Sequence, residues 1–355
     1  MLRKVLSSFS IFLIFALSSC DFNNIRSPIP VVYNGLTMGT YYKITLLPNN
    51  HKGTFVFDDS LDQHLFHDLI KSELKDINNI ASTYLPGSEI SVFNNLKSNN
   101  CIEASKEFLF LISESIRINQ YTNGFYNPLV GPLVNLWGFG PNKSNIPSLP
   151  SDKDIKNIKN LTNLNNIQIN EEAKTICKSD NIYLDLSGLA KGYAVDKLAS
   201  LLKSIGAKNF LVDIGGEIYS FGKNKNNEPW QLAIEDPSKY TSKIKEIVSV
   251  SEGAIATSGN YRNFFEIDDV VFSHIINPMT GYPTVFSLSS VSVIDKSTYV
   301  ADALATAIMA MGFDEAKSFA IKNDLAVYLI DNKVNFLENE DATIWYSENF
   351  KKFLN

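Results

Sequence analysis

The chain has 355 residues, of which 45% are hydrophobic and 20% are charged, and this composition excludes collagen-like, low-complexity and disordered proteins. Its formal net charge of −6 provides no general basic surface, so we expect no nucleic-acid partner. The cysteines, Cys20, Cys101 and Cys177, are too few for a disulfide scaffold and form no CxxC zinc motif. The fold therefore has to depend on its hydrophobic core.

The first twenty residues have the pattern of an export signal. Arg3 and Lys4 precede an apolar run over residues 11–17, which is too short to span a bilayer of about 30 Å. The run ends in Leu17-Ser-Ser-Cys20, which resembles a bacterial lipobox. We therefore predict that residues 1–19 are a lipoprotein signal peptide and that Cys20 is the lipidated N-terminus. The alternative is a plain secretory signal with a chance cysteine.

The remaining chain divides into a tether and a body. Residues 20–30 are polar and contain proline, as expected for a tether, and residues 31–355 are predicted to form the folded body. Residues 141–166 are rich in Asn, Lys, Ser and Pro, which predicts a solvated loop with one weak helix and a soft internal seam. Asp21 resembles an inner-membrane retention signal. We expect a lipid-anchored body on the periplasmic side of the inner membrane, or on the cell surface of a Gram-positive organism.

Hydrophobic periodicity predicts both strands and long helices. The first predicted helix places Leu61, Leu65, Leu69 and Ile77 on its buried face, and the second buries Phe108, Ile112 and Ile116. Because strands and helices show no strict βαβα alternation, we predict an α+β fold with mixed sheets and several long helices. The predicted helices cover about residues 60–80, 105–120, 192–205 and 298–311, and the predicted strands cover about 41–47, 210–221, 230–234, 270–276, 287–294 and 325–330.

The segment Asp185-Leu-Ser-Gly-Leu-Ala-Lys-Gly192 lies between a predicted strand and a predicted helix. Such a turn directs backbone N–H groups and the positive helix end outward, and Lys191 adds a cation, so the turn could hold a phosphate. Its spacing is neither that of a Walker loop nor GxGxxG. A purely structural turn is therefore the alternative.

Asp302 and Thr306 are spaced i and i+4 on a predicted helix, which places both side chains on one face. A carboxylate and a hydroxyl are hard oxygen ligands that suit Mg²⁺ bound together with substrate phosphates. The alternative is that Asp302 caps or solvates an Ala-rich helix. We expect Asp302→Ala to leave the fold intact, as for a surface carboxylate at a cavity wall.

A histidine and a group of aromatic residues complete the candidate set. His274 ends an apolar strand before a Pro/Gly turn, where a histidine could act as general base, although a lone histidine is often structural. The loop Asn135-Leu-Trp-Gly-Phe-Gly-Pro141 has aromatic residues between glycines, which could stack on an isoalloxazine or adenine ring or simply pack in the core.

Eight motifs in family order, over about residues 31–312, resemble the bacterial FAD:protein FMN transferases, or ApbE-type flavin transferases. The motifs are Thr37-Met-Gly-Thr40, Ser88-Glu-Ile-Ser91 with Phe93-Asn94, the run from Asn127 to Gly140, the run from Asp185 to Asp196, Asp213-Ile-Gly-Gly-Glu217, the run from Ala256 to Arg262, Ser273-His-Ile-Ile-Asn-Pro278, and Ala301-Asp-Ala-Leu-Ala-Thr306. Asn127 stands where many relatives have Asp, so we assign it no charge-dependent role.

The resemblance implies a fold, a reaction and a set of site residues. It implies an ApbE-like fold and Mg²⁺-dependent transfer of FMN from FAD to a Thr or Ser hydroxyl of an acceptor protein, with release of AMP. His274 and Asp302 would be catalytic, and the Gly188 carbonyl, Asp302 and Thr306 would bind the metal. The residues implied in FAD binding are Met38, Tyr84, Trp137, Gly138, Phe139, Asp185, Lys191 and Ile276.

The sequence leaves the acceptor and two rival functions open. No internal run resembles the acceptor signature, so the target is expected to be another protein, such as a respiratory or electron-transport subunit. The first rival is a periplasmic FAD-binding lipoprotein without transfer activity. The second is an FAD pyrophosphatase that releases FMN and AMP to water.

Overall fold

A computed structural model describes residues 29–48, 63–140, 149–237, 243–260, 264–267, 270–284, 288–331 and 342–355. The helices are α1 Gln63–Ala81, α2 Glu89–Asn94, α3 Lys106–Tyr121, α4 Gly131–Leu136, α5 Asp152–Lys159, α6 Ser187–Ser204, α7 Thr298–Met311, α8 Phe313–Lys322 and α9 Glu348–Lys351. The strands are β1 Val31–Thr37, β2 Thr40–Leu46, β3 Asn100–Glu103, β4 Ile167–Asn170, β5 Thr175–Lys178, β6 Phe210–Ile214, β7 Glu217–Phe221, β8 Trp230–Glu235, β9 Ile244–Val250, β10 Glu252–Gly259, β11 Phe264–Ile267, β12 Val270–Ser273, β13 Leu288–Asp295, β14 Ala326–Asp331 and β15 Thr343–Tyr346. The predicted α+β class is confirmed.

The largest sheet has eight strands in the order β1-β2-β6-β7-β10-β13-β14-β15, and all its pairings are antiparallel. The β1–β2 turn has positive φ at both central residues, Met38 (49°) and Gly39 (72°), as in a type I′ hairpin. Gly215 donates its N–H to the Tyr41 carbonyl at 3.1 Å. The Met38 turn and the Gly215-Gly216 turn therefore lie at the same end of the sheet.

Helices α6 and α7 pack side by side against one face of this sheet. The helices can approach closely because Gly192 has no side chain: a Cβ there would lie 2.4 Å from the Thr298 carbonyl oxygen. The Asp196 carboxylate of α6 also accepts hydrogen bonds from the Thr298 and Tyr299 N–H groups, which begin α7. Contacts from α6 therefore fix the position at which α7 begins.

The opposite face of the sheet is covered by the β8–β9 hairpin and α9. Strand β8 alternates buried and exposed residues, with Trp230, Leu232 and Ile234 facing inward. These side chains form a separate cluster with Ile255 and Phe350. The main sheet therefore has a core on both faces.

Several predicted elements agree with the structure. Helix α7 has the predicted bounds, and α3 buries Phe108 and Ile112 with Ile116 partly buried. The predicted strand region 210–221 is a hairpin of β6 and β7, because the Gly-Gly pair makes a turn. Helix α6 begins five residues before its predicted start, and β12 ends at Ser273, before the predicted Ile276.

The predicted buried face of α1 is wrong at two positions. Leu65 and Leu69 are 49% and 40% exposed, whereas Phe66 and Ile70 are buried. Ile77 is buried as predicted, and Leu61 lies outside the described residues. Leu65 and Leu69 are four residues apart, and so are Phe66 and Ile70, so helical spacing alone does not decide which pair is buried. Phe66 lies on the face that packs inward, where its ring contacts Tyr33 with ring centroids 5.4 Å apart.

A three-stranded sheet, in the order β3-β5-β4, carries a disulfide that the sequence did not indicate. Cys101 and Cys177 are register partners on β3 and β5 and are bonded to each other, although 76 residues separate them in the chain. The next residue, Lys178, is buried, and its Nζ donates to the carbonyls of Asn94 and Ile182. The disulfide thus anchors the chain just before the Asp185 turn.

One predicted segment falls largely outside the described residues, and another falls partly outside them. The signal peptide and most of the tether lie in residues 1–28, and residues 141–148 of the predicted seam are likewise not described. Residues 149–166 contain α5, which agrees with the weak helix predicted there. Among the helices of the described ranges, none is long and apolar enough to cross a bilayer.

Candidate functional site

The Asp185–Gly192 turn is held in place by hydrogen bonds on both sides of its first residue. The Asn94 side chain donates to the Leu184 carbonyl at 2.9 Å and accepts from the Leu184 N–H at 2.7 Å. The Asp185 N–H donates to the Pro128 carbonyl at 2.7 Å, and the Asp185 carboxylate accepts from the Ser187 N–H at 2.9 Å. Asp185 therefore lies one residue before Leu186, the N-cap of α6, at a helix N-terminus whose free N–H groups favour an anion.

Asp302 lies against this turn, as the paired motifs predict. Its Oδ2 accepts from the Gly192 N–H at 3.1 Å, and its side chain is only 5% exposed. One helical turn later, Thr306 faces Gly188: a Cβ on Gly188 would lie 3.2 Å from Thr306 Oγ1. The structure thus brings together Gly188, Lys191, Asp302 and Thr306.

Glu217, the first residue of β7, completes a charged cluster with Lys191 and Asp302. Lys191 Nζ lies 2.6 Å from Glu217 Oε1 and 3.9 Å from Asp302 Oδ1. Burial raises the pKa of Glu217 to about 7 despite the opposing effect of Lys191, and burial also raises the pKa of Asp302. Glu217 ends the motif Asp213-Ile-Gly-Gly-Glu217, but its position in the sequence indicated no function for it.

The donor set fits a magnesium ion that also binds substrate phosphates. Asp302 supplies a carboxylate oxygen, Thr306 a hydroxyl, and Gly188 a backbone carbonyl, which are hard ligands of the kind that Mg²⁺ prefers. Within the described ranges, no cluster of three or more His, Cys, Asp or Glu side chains could hold a metal without further ligands. A cation here would therefore complete its ligand shell with water or with oxygens of the substrate, as is usual for Mg²⁺ with phosphates.

A second group of predicted residues surrounds His274. His274 is half-buried and follows the last residue of β12, and the Phe139 ring meets the imidazole edge-on with centroids 6.3 Å apart. Three residues after His274, the Asn277 side chain donates to the Ala310 carbonyl of α7 at 3.0 Å. This loop is therefore tied to the helix that carries Asp302.

Trp137 and Ile276 lie in a small hydrophobic cluster with Leu133 and Ile155. Trp137 is 2% exposed, its ring stacks on Phe272, and its Nε1 donates to the Gly281 carbonyl at 2.9 Å. This burial favours the packing alternative for Trp137. The roles in FAD binding that the resemblance implies for Gly138, Phe139 and Ile276 stay predictions.

Met38 and Tyr84 are the two remaining residues that the resemblance implies in FAD binding. Met38 is partly buried in the β1–β2 turn, and the next residue but one, Thr40, contacts Gly215, close to Glu217. Tyr84 is 72% exposed. The roles in FAD binding that the resemblance implies for Met38 and Tyr84 stay predictions.

Tyr126 is a buried residue that our sequence analysis missed. Its ring lies 3.2 Å from the position of a Cβ on Gly188. Burial raises its pKa far above the usual range, and the nearby carboxylates of Asp302 and Asp185 act in the same direction. Tyr126 therefore stays protonated and forms an uncharged wall of the site. It stands one residue before the motif that begins at Asn127, and nothing in the sequence singled it out.

Comparison with known proteins identifies the family. The family model described as "ApbE family" matches residues 38–329. The FAD:protein FMN transferases of Vibrio cholerae and Haemophilus influenzae are 38% and 37% identical to the chain, covering 90% and 84% of it and 92% and 85% of their own lengths. The solved structure of the flavin transferase ApbE from Vibrio cholerae has a TM-score of 0.79 at 36% identity and covers 92% of this chain and 99% of its own. The chain therefore belongs to the ApbE family.

Proposed function

We propose that the protein transfers FMN from FAD to a Thr or Ser hydroxyl of an acceptor protein, with Mg²⁺ as cofactor and AMP as the leaving group. The observation that carries this proposal is the buried cluster of Lys191, Glu217 and Asp302 beside the N-terminus of α6. Such a cluster offers a cation, helix N–H groups and a metal-ligating carboxylate to one pyrophosphate. The names of the relatives support the same reaction.

In the proposed phosphoryl transfer, some residues bind the pyrophosphate and another removes the proton of the acceptor hydroxyl. The N–H groups of the Asp185 turn and the Lys191 ammonium bind and orient the pyrophosphate of FAD. Asp302, Thr306 and the Gly188 carbonyl would hold Mg²⁺, which when bound neutralises charge on the phosphate oxygens.

His274 takes the proton from the acceptor hydroxyl. The hydroxyl oxygen then bonds to the phosphorus of the FMN half as the bond from that phosphorus to the bridging oxygen breaks, and AMP leaves with the bridging oxygen. The His274 imidazole later returns the proton to solvent. A threonine hydroxyl is a poor nucleophile until a base acts on it, so this step depends on the histidine.

The compartment is also a proposal. Export and lipidation at Cys20 would place the body on the periplasmic side of the inner membrane, where a respiratory or electron-transport subunit is the expected acceptor. The Cys101–Cys177 disulfide is compatible with such an oxidising compartment. If the proposal is right, Cys20→Ser moves the protein from the membrane fraction to the soluble fraction, and unchanged membrane association would contradict it.

The function is tested by incubating the protein with FAD, Mg²⁺ and an acceptor that carries a flavinylation-type threonine, followed by in-gel flavin fluorescence. A transferase produces a fluorescent acceptor band that is lost when the threonine is replaced by alanine. A pyrophosphatase produces free FMN and AMP with no band. A pure FAD-binding lipoprotein produces neither product.

A further inference from the structure

The family resemblance implies no role for Glu217. The Glu217 side chain nevertheless contacts Lys191, for which the resemblance implies a role in FAD binding. Glu217 directly follows the Gly215-Gly216 turn at the end of the sheet. Its side chain is 3% exposed. Its Oε1 pairs with Lys191, while its Oε2 is buried with no hydrogen-bond partner in the part of the chain that the structure describes. Burying a carboxylate destabilises the folded state unless hydrogen bonds and ion pairs offset the lost hydration. A purely structural function therefore does not explain why Glu217 is buried with an unpartnered oxygen.

The distances show that Lys191 pairs with the carboxylate of Glu217 more closely than with that of Asp302. Lys191 Nζ is in direct contact with Glu217 at 2.6 Å but lies 3.9 Å from Asp302 Oδ1. A lysine is a point charge on a flexible stem and moves to the nearest available anion. Without the charge of Glu217, that anion is Asp302, and a shift of about 1 Å would bring the ammonium into hydrogen-bonding contact at about 2.8 Å.

Such a shift would change what Asp302 can bind. Oδ2 of Asp302 already accepts from the Gly192 N–H, so Oδ1 is the oxygen with more freedom to ligate a cation. An ammonium in contact with Oδ1 would occupy that oxygen and repel a divalent ion. The same shift would withdraw Lys191 from the substrate phosphates.

We propose that Glu217 is a positioning residue that holds Lys191 away from Asp302, so that Asp302 stays open to a divalent cation while Lys191 faces the substrate phosphates. This inference rests on the metal site of the proposed function and adds a residue to it. Groups that orient a metal site from outside its ligand set typically change metal affinity by about 10- to 100-fold when they are removed.

The test measures Mn²⁺ binding to the FAD-free protein from the electron paramagnetic resonance signal of the free ion. Wild type is expected to bind Mn²⁺, and Asp302→Asn to lose the site. Glu217→Gln is expected to bind about 10- to 100-fold more weakly. The double variant Glu217→Gln/Lys191→Met is expected to recover most of the affinity, because the cation that blocks Asp302 has been removed.

A matched control is Glu252→Gln. Glu252 of β10 pairs with Lys203, also on α6, at 3.4 Å, and this pair lies more than two helical turns from Lys191 along the helix. The control should bind Mn²⁺ as the wild type does. Recovery in the double variant would also show that the Glu217→Gln substitution is compatible with a folded site.

Two results would overturn the inference: wild-type affinity in Glu217→Gln, or a double variant that binds as weakly as Glu217→Gln. Both leave the proposed function standing if the wild type still flavinylates its acceptor. A wild-type protein that binds no Mn²⁺ at Asp302 would instead contradict the metal assignment itself, and this inference with it.

Discussion

The sequence singled out two regions for cofactor binding, and the structure gives them different physical characters. Around the Asp185 turn, Glu217 and Asp302 are buried charged side chains beside the partly buried Lys191, and Glu217 Oε2 has no hydrogen-bond partner among the described residues. In the aromatic loop, Trp137 is enclosed by hydrophobic neighbours and its N–H is satisfied. Buried charges with unused bonding capacity are typical of sites, whereas a satisfied buried aromatic contributes stability. We therefore expect substitutions in the two regions to affect different quantities.

The largest effect is expected for Asp302→Asn, which should reduce FMN transfer by at least about 10²–10³-fold, as for loss of one preorganised electrostatic group. An asparagine oxygen can still accept from Gly192, so the unfolding midpoint should change little. Asp302→Ala is a less suitable variant than expected from the sequence, because Asp302 is buried and its removal takes away the charged acceptor of the Gly192 N–H, at about 1.5–3 kcal/mol. Transfer at the wild-type rate by Asp302→Asn would contradict the assignment.

His274→Ala should slow transfer by about 10²–10⁴-fold through the loss of a general base. FAD affinity, measured by flavin fluorescence, should change much less, because the histidine acts on the acceptor hydroxyl. An unchanged rate of acceptor labelling would keep the transferase and reject His274 as its base.

Trp137→Ala should lower the free energy of unfolding by about 3–5 kcal/mol, as for other large-to-small substitutions in a core. Trp137→Phe keeps most of the ring and loses the hydrogen bond to Gly281, so about 0.5–1.5 kcal/mol is expected. Urea unfolding measures both. If Trp137→Phe instead weakened FAD binding many-fold at unchanged stability, the aromatic loop would be part of the FAD pocket, as the resemblance implies.

Replacing both Cys101 and Cys177 by alanine should lower the free energy of unfolding by about 2–4 kcal/mol, because the crosslink that restricts the unfolded chain is lost. Reduction of the wild-type protein should give the same loss. A denaturation curve that dithiothreitol does not shift would show that the crosslink contributes no stability.

The effect of pH is gradual, because it is spread over the range between two pKa values. The pKa of Glu217 is raised from 4.5 to about 7 on folding, so the native protein holds a proton there that the unfolded chain has released. Between these values, rising pH destabilises the native state by at most about 1.4 kcal/mol per pH unit for this group. Glu217→Gln should therefore gain stability relative to wild type as the pH rises from 4.5 to 7, with no further gain above. Parallel pH profiles for the two proteins would contradict the raised pKa.

The sequence indicated which candidate site residues lie close together better than it predicted the packing around them. Asp302 and Thr306 were found because helical spacing fixes which side chains share a face. The predicted buried face of α1 was wrong because Leu65 and Phe66 are both hydrophobic. Which of them is buried depends on tertiary neighbours such as Tyr33. Glu217 and Tyr126 escaped assignment for a similar reason: their importance comes from contacts with Lys191 and Gly188, which lie far away in the chain.

The central claim is that metal and pyrophosphate bind at the charged cluster and not at the aromatic loop. Anomalous diffraction from crystals of the His274→Ala protein soaked with Mn²⁺ and FAD tests it directly. The account predicts a manganese peak in contact with Asp302 and Thr306, with the FAD phosphates beside Lys191 and the N-terminus of α6. A metal peak elsewhere, or a flavin stacked on the Trp137 loop with its phosphates away from Lys191, would contradict it.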